Sequence, residues 1–308
     1  DPVPAAGQVL IGIETAGVNR ADILVRTGKY HRAGQPPLVL GVEGAGTVLG
    51  VGPDVDEFAV GQRVVGLGET NKPGFYAEQV VVPVGQVVAV PDAVSLASAA
   101  ALPTAWLSAW YCLHRLLQIQ AGETVLLHAA ASGVGSAAVR IAVDAGATVI
   151  ATARSAEKVS WVTELGAQHA LDSSTEHGDR LVATVQELTG GHGVDAVLDV
   201  VGGQAFSDSL RAIAYGGRVV AMANVALASS TIDTRDFYPK NGRIFGFQIT
   251  ALMDHGYDPR PDIADLLAAV ATGRFTVDID STFPLADAAA AHRHVESRQT
   301  RGKVLLAL

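Results

Sequence analysis

Residues 123–154 constrain the fold of this chain more than any other stretch. They open with an apolar run, Val125-Leu126-Leu127-His128-Ala129-Ala130, and turn through Ala131-Ser132-Gly133-Val134-Gly135. A helical pattern follows, with Val134, Ala137, Ala138, Ile141 and Ala142 on one face, and a second apolar run, Thr148-Val149-Ile150-Ala151-Thr152-Ala153, closes the stretch. Strand, small-residue turn, helix and strand make a βαβ unit able to cradle a pyrophosphate. The turn must be small because backbone approaches the phosphates, and the helix aims free N–H groups and its positive end at them. The glycine positions of the G-x-G-x-x-G fingerprint read Ala130, Ser132 and Gly135, with Gly133 between. Without a nucleotide, the same turn fits a flavodoxin-like sheet.

The second strand ends at Ala153-Arg154-Ser155, with Lys158 one turn on and no carboxylate before Glu157. An NAD site places an acidic residue about 20 positions past the glycines, on the ribose hydroxyls. Arg154, Ser155 and Lys158 instead suit a 2′-phosphate, which takes charge-assisted donors. The expected cofactor is therefore NADPH. As plain surface residues, Arg154 and Lys158 would be a solvated helix start.

The 308 residues are enough for two domains, and 49% of them are apolar, as in an α/β enzyme. A net charge of −9 argues against nucleic acid as a partner. No apolar run reaches a membrane span, and no signal-peptide pattern opens the residues. The single cysteine, Cys112, leaves no internal disulfide and no Cys-rich zinc site. It lies in Trp110-Tyr111-Cys112-Leu113, a pattern that reads as core. A reducing cytoplasm is the expected location.

Residues 1–95 show short β runs at 8–15, 38–50, 62–66, 77–82 and 86–91 with no helical rhythm, so a small, partly open barrel is expected there. A capped helix at 95–102 and another at 104–117 follow Ser95 and Pro103. Strands at 169–173, 194–201, 218–224 and 243–250 then alternate with helices at 155–165, 180–188 and 204–214. That alternation implies a doubly wound parallel sheet. A helix at 261–271, a β run at 275–279, a helix at 285–297 and a strand at 303–308 complete the pattern. The expected division is 1–95 with 259–308 for the substrate domain, and 96–258 for the dinucleotide domain.

The whole order resembles the medium-chain dehydrogenase/reductase superfamily, and within it the zinc-free quinone oxidoreductases (zeta-crystallin-like). The resemblance rests on Ala16-Gly17-Val18-Asn19-Arg20-Ala21-Asp22 with Gly28-Lys29-Tyr30, on Gly41-Val42-Glu43-Gly44-Ala45-Gly46, on Gly74-Phe75-Tyr76-Ala77-Glu78, and on His128 to Gly135. Asn19-Arg20-Ala21-Asp22, with Ala105-Trp106-Leu107, is most similar to the stress-inducible NADPH quinone oxidoreductases. The resemblance implies a GroES-like barrel beside a Rossmann domain, a small-molecule substrate, and a homodimer joined through an edge strand such as 243–250. It also implies no metal: Asn19 and Val42 stand where zinc alcohol dehydrogenases carry Cys and His. Members of the family usually carry further β structure ahead of Asp1; some relatives have a tyrosine at the position of Leu24, and relatives carry one at that of Ser173.

The candidate catalytic residues are Asn19, Tyr30 and Thr104. By resemblance, Asn19 lies near the nicotinamide and hydrogen-bonds a substrate carbonyl; on its own it reads as a turn former. Tyr30 lines the cleft by resemblance, and otherwise is a packed ring. The resemblance places the Thr104 hydroxyl by the nicotinamide; locally it reads as a helix N-cap. The candidate cofactor residues are Ala131, Ser132, Gly133, Val134, Gly135, Arg154, Ser155, Lys158, Ser173, Val200, Gly202, Ala223, Asn224, Phe245, Phe247 and Lys303. Val200-Gly202-Gly203 and Ala223-Asn224 end strands, where such sheets bind ligands, although small residues also suit plain turns. Phe245 to Gln248 either cover the nicotinamide or form a dimer edge. Lys303 either reaches the cofactor or sits on the surface, the plainer expectation. His292 and His294, two apart on a helix, share no face and read as solvated.

The expected activity is hydride transfer from NADPH to a quinone. Reduction of an enone, enal or enoyl-thioester C=C bond uses the same geometry, and a cofactor-binding protein without turnover is the reading from another class.

Overall fold

The computed structural model describes residues 2–72 and 74–308. Its strands are β1 (Gln8–Val18), β2 (Glu43–Val51), β3 (Arg63–Leu67), β4 (Gln79–Pro83), β5 (Val87–Ala89), β6 (Thr124–Leu127), β7 (Thr148–Ala153), β8 (His169–Asp172), β9 (Val194–Asp199), β10 (Ile213–Ala221), β11 (Arg243–Gly246), β12 (Ile279–Pro284) and β13 (Lys303–Ala307). Its helices are α1 (Arg20–Arg26), α2 (Leu96–Ala100), α3 (Leu107–Trp110), α4 (Gly133–Asp144), α5 (Ala156–Glu164), α6 (Asp179–Leu188), α7 (Gln204–Ala212), α8 (Ile249–Asp254), α9 (Arg260–Ala271) and α10 (Ala288–Glu296). The chain divides into two compact units. One comprises Asp1–Leu107 with Ile249–Leu308, the other Ser108–Gln248.

In the first unit the strand order is β12-β13-β1-β2-β3-β5, with β4 also on β1. Along β1, Val9, Ile11 and Ile13 alternate inward, as expected of a strand with one wet face. They pack on Val48, Val64, Val80, Phe75 and Leu306 to form the barrel core. Antiparallel pairing sets Gly17 opposite Leu305 and Val18 opposite Val304. Ala16 faces Gly44 on the other side, so the start of β2 and the start of β13 flank the end of β1.

The second unit is a sheet in the order β11-β10-β9-β6-β7-β8, parallel throughout. Its central strands are apolar on both faces. Val125, Leu126, Leu127, Val149, Ile150 and Val197 have no exposed surface, the pattern of a sheet covered on both sides. This is the α/β architecture of a GroES-like barrel plus a Rossmann sheet.

Four local expectations change. Helix α1 breaks the supposedly all-β start; its Ile23, Leu24 and Val25 look like strand, yet only Asp22 and Ile23 are buried. The helix after Pro103 is continuous but loosened, with π turns over Leu102–Trp106 and Tyr111–Leu116 flanking α3. The run at 243–250 pairs only as far as Gly246; Ile249 begins α8. The β run at 275–279 lies at Ile279–Pro284 instead, because Phe275 packs its ring on Trp106, 5.2 Å between centroids. Among the described residues, no helix is long and apolar enough to cross a membrane.

Candidate active site

Three sequence neighbourhoods meet at one carboxylate in the first unit. Glu43 has no exposed surface. Its Oε1 accepts from Asn19 Nδ2 at 2.7 Å and from Lys303 Nζ at 2.5 Å, and its Oε2 accepts from the Thr104 N–H at 2.7 Å. The register explains the meeting. Glu43 opens β2 beside Gly17, and Lys303 opens β13 beside Asn19. A Cβ at Gly17 would lie 2.3 Å from Glu43 Oε1, so the residue must be glycine for the carboxylate to lie there.

Lys303 is therefore not a surface lysine. It is 3% exposed, and its ammonium also donates to Val18 O at 3.2 Å and Asn19 Oδ1 at 2.8 Å. Thr104 is not an N-cap either. It sits inside the first turn, where N–H groups lack intrahelical partners, and the distant Glu43 caps its N–H. The Thr104 Oγ1 is buried and has no hydrogen-bond partner among the described residues. A buried hydroxyl left unpaired is costly, so it is free to donate to an acceptor brought into the site.

Behind Asn19 runs a second chain of contacts. The Asn19 N–H donates to Asp22 Oδ2 at 2.8 Å, and the Tyr76 hydroxyl donates to the same oxygen at 3.2 Å. Tyr76 Oη lies 3.2 Å from His292 Nε2, and Arg26 Nη1 lies 3.2 Å from His292 Nδ1. Because arginine only donates, Nδ1 accepts and Nε2–H donates to Tyr76. Burial pushes the Asp22 carboxyl up to about 7, against the pull of the Asn19 N–H and of Lys303. Burial and the neighbouring Asp22 push the Tyr76 hydroxyl up, and burial beside Arg26 lowers His292. His292 is 2% exposed, not solvated. His294 faces elsewhere, to Asp280 at 2.7 Å, so the two histidines indeed share no face.

Tyr30 stands on the turn after α1, half-buried, with its ring 5.0 Å from His31; Gly28 there has φ +68°. The sequence reading missed Glu43, Asp22, Tyr76 and His292 as site residues. Their signal was present in part: an acid inside a glycine-rich apolar strand, and another three residues after Asn19.

In the second unit, every candidate cofactor residue lies at or beyond the carboxyl edge of the parallel sheet. Ser132 caps α4, its Oγ accepting the Gly135 N–H at 3.0 Å. The N–H groups of Gly133 and Val134 have no intrahelical acceptor. A Cβ at Gly135 would lie 2.4 Å from Ala129 O and 2.6 Å from Ala130 Cα, so helix and turn touch there. Ala131 is buried beneath them. Arg154 and Ser155 are exposed at the end of β7; Ser155 caps α5 through the Lys158 N–H, and the Ser173 N–H donates to Ala153 O at 2.7 Å. After β9, Asp199 accepts from the Val201 and Gly202 N–H groups at 2.6 and 3.1 Å, shaping the loop past the buried Val200. Gly202 has φ +73° and faces Asn224, which closes its own loop onto Ala228; Ala223 beside it is exposed. Phe247 is buried against Tyr111, 5.6 Å between rings, and Phe245 is half-buried on the edge strand. Below the turn, His128 is buried between Thr152 and Ser209, at 3.1 and 3.0 Å; burial lowers its pKa.

The alcohol dehydrogenase GroES-like domain family matches residues 5–92, and the zinc-binding dehydrogenase family matches residues 133–271. A 2-haloacrylate reductase from Burkholderia sp. is 34% identical over 98% of this chain and 91% of its own length. This chain belongs to the medium-chain dehydrogenase/reductase superfamily. Quinone oxidoreductase-like protein 2 of Bos taurus is 33% identical over 98% of this chain and 85% of its own length. A mycobacterial protein solved in complex with NADPH is 33% identical, with a TM-score of 0.90 over 100% of this chain and 93% of that one. This chain is an oxidoreductase of that superfamily, and its residues do not fit the zinc in the second family's description. Glu43 is saturated by an ammonium and two N–H groups, and Asn19 and Val42 flank it without a thiolate or imidazole. Among the described residues, no three His, Cys, Asp or Glu side chains gather as a metal-ligand set.

Proposed function

We propose that this chain is an NADPH-dependent, metal-free quinone oxidoreductase. The observation that carries the reading is the Glu43 carboxylate holding both Asn19 and Thr104, two neutral donors suited to a developing oxyanion. When bound, the dinucleotide supplies the hydride. The rest falls to the chain. Gly133, Val134 and Gly135 present backbone to a pyrophosphate, and Arg154, Ser155 and Lys158, with Ser173 beside them, receive a 2′-phosphate. The preference for NADPH over NADH rests on the missing acidic residue at the end of β7.

Asn19 Nδ2–H and the unpartnered Thr104 hydroxyl are the donors assigned to the acceptor's oxygen. Such a site contains no strong acid of its own, which suits a quinone, because the reduced oxygens take protons from water. Reduction of an activated alkene is the second reading. It requires a proton delivered to carbon, and the buried Asp22, held near neutrality behind Asn19, favours it; the name of the haloacrylate reductase supports it as well.

The deciding assay follows the oxidation of NADPH at 340 nm by the purified chain. Phenanthrenequinone and an enone are offered in parallel, with NADH as the control donor. Fast quinone turnover with NADPH alone is expected. Turnover of the enone without the quinone establishes the second reading, and NADPH binding without turnover of either removes both.

A further inference from the structure

Asn19 is asymmetric: one end of its carboxamide accepts hydrogen bonds and the other donates two. Which end meets a substrate decides whether it stabilises or repels a developing oxyanion. The surroundings of the amide fix that choice. Oδ1 lies 2.8 Å from Lys303 Nζ, and Nδ2 lies 2.7 Å from Glu43 Oε1. Turned over, the amide would set its N–H groups against an ammonium and its carbonyl against a carboxylate. Two charge-assisted hydrogen bonds would become two repulsive contacts, inside a site where neither charge is screened by water.

Lys303 has no other use for its protons. Its three N–H groups match three acceptors, Val18 O, Asn19 Oδ1 and Glu43 Oε1, at 3.2, 2.8 and 2.5 Å. It therefore grips Asn19 at the side chain and at the peptide just before it. Glu43 takes one Nδ2–H and leaves the other. The Asp22 carboxylate fixes the Asn19 backbone N–H from behind, so the residue is held on three sides.

We propose that Lys303 is a positioning residue, which holds the Asn19 carboxamide with its second Nδ2–H, not its carbonyl, toward the substrate oxygen. The proposal rests on the reading of Asn19 as a carbonyl donor, and it assigns Lys303 to the reacting end of the site rather than to the dinucleotide.

The test uses the full chain with NADPH and phenanthrenequinone. Asn19→Ala is expected to lower kcat on the order of 100-fold, the loss typical of one oxyanion donor. Lys303→Met is expected to lower kcat at least about tenfold while the Kd for NADPH stays within about twofold. The double variant falls no further than Asn19→Ala, because an unheld amide contributes little. Unchanged kcat in Lys303→Met, or losses that multiply in the double variant, overturns the proposal. If Lys303→Met does not fold, Lys303→Met/Glu43→Gln removes both buried charges together and carries the same expectation. A second readout needs no turnover. The 15N-coupled side-chain protons of Asn19, identified by their loss in Asn19→Ala, should be strongly inequivalent in the native protein, one of them shifted by the carboxylate. They should draw together in the Lys303 variant; an unmoved pair overturns the clamp. Absence of any turnover in the native chain counts against the reductase reading alone, and the amide signals still decide the clamp.

Discussion

In the first unit, the groups assigned to a substrate are side chains tied to a buried charge; in the second, the groups assigned to a dinucleotide are mainly backbone N–H groups of a tight turn. Glu43, Lys303 and Asp22 are 0%, 3% and 1% exposed; Glu43 and Lys303 pair with each other, and burial holds Asp22 protonated to about pH 7. Around the turn, the charges assigned to the ligand lie at or near the surface, Arg154 exposed and Lys158 half-buried, while burial lowers the pKa of the histidine below, which hydrogen-bonds Thr152 and Ser209. The difference follows from the ligands. A pyrophosphate is already charged and needs only donors at close range. A carbonyl becomes charged during the reaction, so its donors must be fixed beforehand.

The comparison predicts that the first unit responds most to changes of buried charge, in either direction, and the second to added bulk. The largest effect is expected for Glu43→Ala, which leaves the Lys303 ammonium buried without its carboxylate. A loss of about 3–5 kcal/mol in urea unfolding is expected, and a loss below about 1 kcal/mol would break the contrast. Asp22→Asn comes next, and its effect depends on pH. The folded protein keeps the Asp22 proton up to about pH 7, whereas an unfolded aspartate releases it near pH 4. Across that window the folded state binds more protons, so stability falls as pH rises and stays lower above it. Asp22→Asn should remove that fall, gaining on the order of 2–4 kcal/mol over the native chain at pH 8 and almost nothing at pH 4. Denaturant midpoints at the two pH values check this, and an equal difference at both would count against it.

In the second unit, Gly135→Ala sets a methyl against Ala129 O and Ala130 Cα, neither of which can move freely. A loss of about 1–3 kcal/mol is expected together with weaker dinucleotide binding, measured by melting and by NADPH fluorescence. The smallest effect on the fold belongs to Arg154→Asp, within about 0.5 kcal/mol because the residue is exposed. Its effect on binding should be larger. NADPH affinity should fall roughly 10- to 100-fold, the worth of a charge-assisted hydrogen bond, with NADH affinity unchanged. A parallel loss for both dinucleotides would remove the phosphate assignment.

The second unit was the more legible of the two. Its strands read as continuous apolar runs and its turn as a local motif, because parallel sheets and phosphate turns are built from residues close in sequence. The first unit gave up its strands but not its chemistry. Glu43 and Lys303 are 260 residues apart, and neither looks unusual in its own neighbourhood. Only the pairing of β13 with β1 turns a lysine that reads as surface into a buried cation. Tyr76 and His292 were hidden the same way, joined across 216 positions. Helix α1 escaped because seven residues, three of them Ile, Leu and Val, carry too little period to be told from a strand.

The distance between Glu43 and Lys303 also sets an order of events during synthesis. The ribosome makes Asn19, Glu43 and Thr104 early, then the whole dinucleotide unit, and only afterwards the strand that brings the ammonium. At about 5–20 residues per second, the interval is on the order of 10–50 seconds. Until that strand is made, Glu43 cannot meet its counter-ion and β1 cannot pair with β13. The first unit is therefore completed only after the second has been made.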